Sequence, residues 1–331
     1  MEPPSPVHPF LRRHSFPLYI RLPALAIAYG VWLPIFKLAD KTGQFSRLAQ
    51  FFYPQVVGRS GHFGDYQPDA HDVLICSHFK SGTNWMMQIA LQIAHHGQAE
   101  YAHIHDLIPW PDGFDPRYSP PLTDRSHLHR SPTRLRVIKT HLTLDKVPYT
   151  PTARYICVVR DPKDVFVSSY HFARSIMFGP LMPSVESWLA SYLTPYFLFG
   201  DWSKHLHSAW QLRHRENVLF FTYRQIKADL PGAIARVAHL MGVPLTPEQL
   251  QTIQHKSSFA YMKTIDHKFY PGAVVPWTPP NGQMMRRGQH GHAHEMLTPA
   301  QQQRIDDHFR TQLQQMGCDF PYDESFSSLT S

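Results

Sequence analysis

An apolar run that stops at a polar turn and restarts as a helix constrains this chain more than any other feature. Residues 73–85 read Val-Leu-Ile-Cys-Ser-His-Phe-Lys-Ser-Gly-Thr-Asn-Trp. Val73 to Cys76 has the composition of a buried strand, and the pattern from Asn84 to about His96 is helical. A strand, a tight turn and a helix start make an anion-binding site. The open N–H groups of the first helical turn point at the ligand, and the helix dipole favours negative charge. Gly82 lets the backbone come close, Lys80 adds a mobile point charge, and Ser81 and Thr83 add hydroxyl donors. The expected ligand is a phosphate or a group shaped like one. Lys80 stands two residues before the glycine, and no Gly-Lys-Ser/Thr occurs anywhere in the chain. An ordinary ATP or GTP loop is therefore disfavoured.

Two further segments carry the same logic. Tyr155–Val159 reads as a buried strand with Arg160 at its end, and Asp161-Pro162 fits a helix start, with Asp as N-cap and Pro at the first position. Ser168 lies about two turns along that helix. Arg136-Val-Ile-Lys-Thr-His-Leu142 reads as a short strand ending at Lys139, Thr140 and His141.

In order and spacing these segments resemble the cytosolic-type sulfotransferases, which use 3′-phosphoadenosine 5′-phosphosulfate (PAPS). The resemblance covers about residues 65–320. It implies that Lys80, Ser81, Gly82, Thr83, Asn84 and Trp85 form the 5′-phosphosulfate loop, and that Arg160 and Ser168 hold the 3′-phosphate. It implies His141 as catalytic base, with Lys80 and Lys139 as electrostatic catalysts. It also implies Tyr223 as an adenine contact, Trp85 and Phe259 (in Ser257-Ser258-Phe259) as the aromatics flanking adenine, and Arg286, Arg287 and Gly288 as a segment closing over the 3′-phosphate. The family usually continues with Asp-Trp where His292-Ala293 stands here, which leaves that closure undetermined. Sulfuryl transfer needs positioning and positive charge rather than a metal, so PAPS is the co-substrate and no metal is expected. A histidine suits proton removal from an attacking hydroxyl. The blander alternatives are an N-cap beside an exposed lysine, an arginine paired with a surface carboxylate, and a structural histidine, one of 23 in the chain. Two other functions compete: a P-loop kinase-type phosphotransferase, and a non-catalytic nucleotide-binding or membrane-associated protein.

The net charge of +7 suits a nucleic acid, an anionic membrane or an anionic ligand. No known nucleic-acid module is present, and a bis-phosphorylated cofactor accounts for part of the excess. Three cysteines without a spacing pattern argue against disulfides and for a reducing, cytoplasmic setting. His103-x-His105 and His290-x-His292-x-His294 lack accompanying Cys or carboxylates, so solvated loop histidines are expected there rather than a metal.

The organisation expected is an N-terminal extension over residues 1–64 and a sulfotransferase domain over residues 65–331. Phe16–Lys41 is apolar but interrupted by Arg21, Pro23, Pro34 and Lys37. Its longest uncharged run, Leu22–Phe36, falls short of the ~20 residues of a spanning helix. It reads as a helix packed on the domain or lying at a membrane interface, with a membrane-spanning anchor as a third alternative. Strands at 73–77, 135–140, 154–159 and 217–222 alternate with helices at 84–96, 162–174 and 225–241. This predicts an α/β fold: a parallel central sheet with helices on both faces and a P-loop-like phosphosulfate-binding loop. Loops at 106–134, the aromatic stretch 176–202, and 266–283 are expected to surround the acceptor, a hydrophobic alcohol, phenol or lipid. Core packing is the alternative for the aromatic stretch. The family's C-terminal dimer motif has no match at His294, Thr298-Pro299 and Gln303, so the oligomeric state is open.

Overall fold

Side chains alternate between two cores along each central strand, and that alternation organises the chain. The computed structural model describes residues 16–57, 63–113, 115–272, 275–277, 284–285, 291 and 293–326. Among these, β1 (Asp72–Ser77), β2 (Arg136–Thr140), β3 (Arg154–Val159) and β4 (Val218–Thr222) form a parallel sheet in the order β2-β1-β3-β4. Val73, Ile75, Val137, Ile156 and Val158 pack with Met86, Ile89, Ile234 and Val237 from helices Thr83–Ala94 and Leu230–Met241. Leu74, Cys76, Ile138, Tyr155 and Cys157 enter a second cluster with Leu144, Val147 and Ala209. A period of two along the strands thus covers both faces, as a buried parallel sheet requires. A third cluster joins helix Pro162–Ala173 to Trp188, Trp202 and helix Pro299–Gln315. Cys76 and Cys157 are register neighbours on β1 and β3, and both are buried free thiols.

A fully buried ion pair ties the starts of β1 and β2. Arg136 Nε and Nη2 each lie 2.9 Å from Asp72 Oδ1, and the Tyr66 hydroxyl bonds both partners. Arg136 Nη1 donates to the carbonyls of Leu122 and Asp124, so the guanidinium is satisfied on all sides.

One expectation is corrected. The helix expected over 225–241 is two, Tyr223–Ala228 and Leu230–Met241. Asp229 turns to φ −143° and accepts from the Gly232 N–H at 2.9 Å, capping the second helix, and Pro231 fits its first turn. The apolar segment over Phe16–Lys41, read as a helix despite its prolines and charges, forms one helix, Leu18–Lys41, of 24 residues. A π-turn at Ala28–Trp32 lets the Leu33 N–H donate to the Ala28 carbonyl five residues back. This wide turn lies just before Pro34, where a regular helix would bring the ring onto a carbonyl. One side of the helix packs on the domain. Phe36 meets Phe45 at 6.0 Å and Phe178 at 6.1 Å between ring centroids, and Asp40 accepts from the Ser184 hydroxyl at 2.6 Å.

Candidate active site

The carboxyl ends of β1, β2 and β3 fall side by side because Cys76 registers with both Thr140 and Cys157. The three expected motifs therefore converge. They line one end of a cavity of about 1400 Å³, larger than the ~300–1,000 Å³ usual for a single ligand. A nucleotide and an acceptor fit together in that volume.

The turn after β1 is built around two left-handed residues, Lys80 at φ +66° and Gly82 at φ +102°. For Lys80 this backbone costs of the order of 1–3 kcal/mol. At Gly82 a Cβ would meet Tyr223 Cδ2 at 2.8 Å, so only glycine lets the loop lie against that ring. No side chain caps helix Thr83–Ala94, which leaves its first N–H groups facing the cavity beside Lys80, Asn84 and Trp85. The Thr83 hydroxyl is shared with Ser77 Oγ at 2.7 Å. Ser81 is buried below the lining, and its Oγ has no hydrogen-bond partner among the described residues.

Positive charge concentrates here. Lys80 Nζ sits 4.3 Å over the Phe172 ring and Lys139 Nζ 3.5 Å over Trp110. Among the described residues neither ammonium forms an ion pair with a carboxylate. Burial, then the Arg160 charge, pulls Lys80 down to about 8. Burial likewise holds Lys139 below the ordinary lysine range. The Arg160 guanidinium lies 4.7 Å over Tyr223 and 3.5 Å from Asp164 Oδ2, and its Nη1 donates to the Lys80 carbonyl at 3.4 Å. A buried lysine, a half-buried one and an arginine facing a cavity, with an open helix N-terminus, form a cradle suited to a multiply charged anion. Ser168 lines this end from helix Pro162–Ala173, whose start is capped by Asp161 as expected.

His141 lines the cavity where the Lys139 charge and the rings of Phe79 and Trp110 come together. Its Nδ1 lies 2.7 Å from the Ser77 carbonyl oxygen, which can only accept, so Nδ1 carries the proton and Nε2 keeps its lone pair. Burial and then the Lys139 charge hold the imidazole well below the ordinary histidine range. Phe79 stacks on the ring at 3.8 Å, and Trp110 meets it edge-on at 5.7 Å. Asp112, which the sequence reading passed over, lies in the same wall. Its Oδ2 accepts the His141 backbone N–H at 2.8 Å, and its Oδ1 has no hydrogen-bond partner among the described residues. Burial holds this carboxyl above the ordinary range, against the pull of the His141 and Thr140 hydrogen bonds and Lys139. Only its place in a Pro-Asp-Gly turn after an apolar run marked it in the sequence.

At the far side of the cradle, Trp85 Nε1 donates to the Ser257 carbonyl at 2.7 Å and its ring meets Tyr223 at 5.3 Å. Phe259 lines the cavity. Ser257 does not: its side chain is buried, and the lining residue is its neighbour Ser258, the cap of helix Phe259–Thr264. Arg286, Arg287 and Gly288 lie outside the described residues. Met284 and Met285 just before them line the cavity, their N–H groups held by Asp266 at 3.1 and 2.8 Å.

An apolar wall adjoins these charges, formed by Phe79, Trp110, Phe172, Ile176, Met177, Leu198 and Phe199, with Phe172 and Trp110 directly under the two lysines. Most of the aromatic stretch 176–202 is not part of it: Trp188, Tyr192, Phe197 and Trp202 are core. His103 and His105, expected as solvated, are buried, and their ring nitrogens face the Tyr270 and Ile108 carbonyls at 3.0 and 2.8 Å. His290 and His292 lie outside the described residues, and the described ones contain no cluster suited to a metal ion.

A profile of the sulfotransferase domain matches residues 70–317. The chain is 30% identical over 270 residues to sulfotransferase 1A1 of Mus musculus, across 76% of this chain and 87% of that protein. It is 28% identical over 277 residues to sulfotransferase 1C2 of Oryctolagus cuniculus, across 80% and 90%. Among solved structures it resembles retinol dehydratase, crystallised with androsterone and the inactive cofactor PAP, with a TM-score of 0.63 and 23% identity over 84% of this chain and 88% of that one. A mouse sulfotransferase complexed with PAP gives a TM-score of 0.59 and 24% identity over 78% and 88%. At these identities the structural likeness speaks to the fold, the parallel sheet with its flanking helices.

Proposed function

The chain belongs to the sulfotransferase family, and from that footing we propose that it transfers the sulfuryl group of PAPS to the hydroxyl of a hydrophobic small molecule, with His141 as base. The observation that carries this reading is the position of His141, its proton fixed on Nδ1 and its Nε2 lone pair left over, in a cavity wall shared by Lys139 and the apolar rings of Phe79 and Trp110. The cradle fits the cofactor. Lys80, Lys139 and Arg160 face the cavity, and Gly82 admits a close approach. The two related structures hold PAP, and one of them also holds androsterone, a hydrophobic alcohol.

When bound, PAPS supplies an activated sulfuryl group with a bis-phosphorylated nucleotide as leaving group. The first N–H groups of helix Thr83–Ala94 and Lys80 hold the phosphate end and place positive charge where the leaving oxygen becomes negative. Arg160 and Ser168 hold the 3′-phosphate, with the planar guanidinium matched to its oxygens. Trp85, Phe259 and Tyr223 surround the adenine. Lys139 faces the sulfonate oxygens. His141 Nε2 takes the acceptor's hydroxyl proton as the new sulfur–oxygen bond forms and the bond to the nucleotide breaks.

Thermal stabilisation by 3′,5′-adenosine bisphosphate beside ADP at equal concentration tests the reading. At a hundred times its dissociation constant a ligand adds about 2.7 kcal/mol. Selective stabilisation by the bisphosphate is expected; an equal shift with ADP would remove the 3′-phosphate assignment and the cofactor with it.

A further inference from the structure

Helix Leu18–Lys41 lies ahead of the matched domain and has a face that water does not favour. We propose that this face lies in the interfacial plane of a bilayer containing anionic lipid and holds the enzyme on the membrane surface. Leu18, Tyr19, Leu22, Ile27, Val31 and Leu38 are 51 to 76% exposed on this one helix. Its mean hydropathy is 1.6 over the most apolar window, of which 6% is buried. So much apolar surface on one element marks an interaction site rather than scattered exposure.

Charge selects the occupant. Residues 1–57 carry six basic side chains, Arg12, Arg13, Arg21, Lys37, Lys41 and Arg47, against two acidic ones, Glu2 and Asp40. Asp40 is engaged inward by the Ser184 hydroxyl and N–H. An apolar face flanked by bases matches acyl chains beneath anionic headgroups, with arginine and lysine stems snorkelling upward. The orientation follows from the helix's other side. Ala28 is fully buried, Phe36 packs on Phe45 and Phe178, and Asp40 is bonded to Ser184. A spanning helix would have to give up these contacts; one lying in the plane keeps them.

The docking bears on the acceptor, independently of how the chemistry is assigned. Ser175, Ile176 and Met177 line the cavity, while Phe178, next in the chain, packs against Phe36. The helix therefore sits directly behind the apolar wall, and a membrane-held enzyme keeps that chamber beside the lipid.

Flotation of the full chain with phosphatidylcholine vesicles, with and without phosphatidylglycerol, tests the proposal. The protein is expected to float with the anionic vesicles and to be released by alkaline carbonate. Leu22→Glu with Leu38→Glu should lower the floated fraction about tenfold, with thermal stability retained in lipid-free solution. Lys37→Glu with Lys41→Glu should abolish the preference for anionic vesicles. Failure of the unaltered chain to float, or equal flotation of the Leu22/Leu38 variant, would overturn it. Resistance to carbonate would overturn the in-plane arrangement. Concentration-dependent dimerisation abolished by Leu22→Glu, without flotation, would assign the face to a second copy instead.

Discussion

The surroundings of His141 keep it neutral, as the proposed role of base requires. Burial and Lys139 disfavour the imidazolium, and Ser77 fixes the tautomer. Removing a general base typically costs about 10²–10⁴ in rate. His141→Ala is therefore expected to lower turnover by that much while bisphosphate affinity, measured by calorimetry, changes less than about twofold. Loss of affinity in step with turnover would make His141 a structural residue. Lys80 gives a pH signature. Its ammonium is held down to about 8 in the free protein, and a bound anion must raise that value. Binding is then favoured while Lys80 is charged, below about pH 8, and weakens as pH rises through that value. Bisphosphate affinity should fall across this range, and Lys80→Met should flatten the fall. The residues in these motifs were legible because their chemistry is local: a turn, a cap, a strand end. Asp112 under His141, Phe79 on its ring and Phe172 under Lys80 were not. Asp112 and His141, or Phe172 and Lys80, meet only when the sheet closes, and nothing in their spacing announces it.

Among the elements, the strands were readable to within a residue because buried parallel strands are rich in apolar residues, and each ended at or just before a charged or hydroxyl residue. The helices were less so. Pro231 marked the break that the pattern over 225–241 concealed, while the helix expected over Phe16–Lys41 accommodates Pro34 just after a π-turn at Ala28–Trp32. What fastens the elements was not visible at all. Asp72 and Arg136 look like strand-edge charges in the sequence but form a fully buried pair with Tyr66. Removing one member of such a pair strands the other charge and costs about 3–5 kcal/mol. Asp72→Ala should lower stability by that amount in urea denaturation, and a change under about 1 kcal/mol would show that Leu122, Asp124 and Tyr66 suffice to hold Arg136. The turn after β1 depends on one close contact, between Gly82 and Tyr223. Gly82→Ala sets a methyl 2.8 Å from Tyr223 at a φ of +102°, so the loop or the ring must move. Bisphosphate affinity should drop more than tenfold (about 1.4 kcal/mol), while helix content by circular dichroism stays unchanged.

Across the whole molecule, one cavity is served by two parts of the fold. The cationic end is built on the carboxyl edge of the sheet, where topology places ligands in open α/β folds, and was therefore predictable. The apolar side is built by the helical turn Arg174–Phe178 and the connection at Leu198–Phe199, and the aromatic stretch that contributes to it mostly turned inward to the core. Apolar residues that face a ligand and those that face a core carry the same sequence signal, so only packing separates them. If the two ends are independent, their variants should separate cleanly. Leu198→Ala removes part of the chamber wall without touching the cradle, and the lost contact is worth roughly 1–3 kcal/mol. It should raise the KM of the best acceptor from a hydrophobic-alcohol screen about tenfold or more and leave bisphosphate affinity within about twofold. Ser168→Ala should do the reverse, weakening the bisphosphate while the acceptor KM at saturating cofactor holds. Should both variants shift both constants together, the two ends act as one site, and acceptor selection would have to be sought in closure around the nucleotide rather than in the chamber itself.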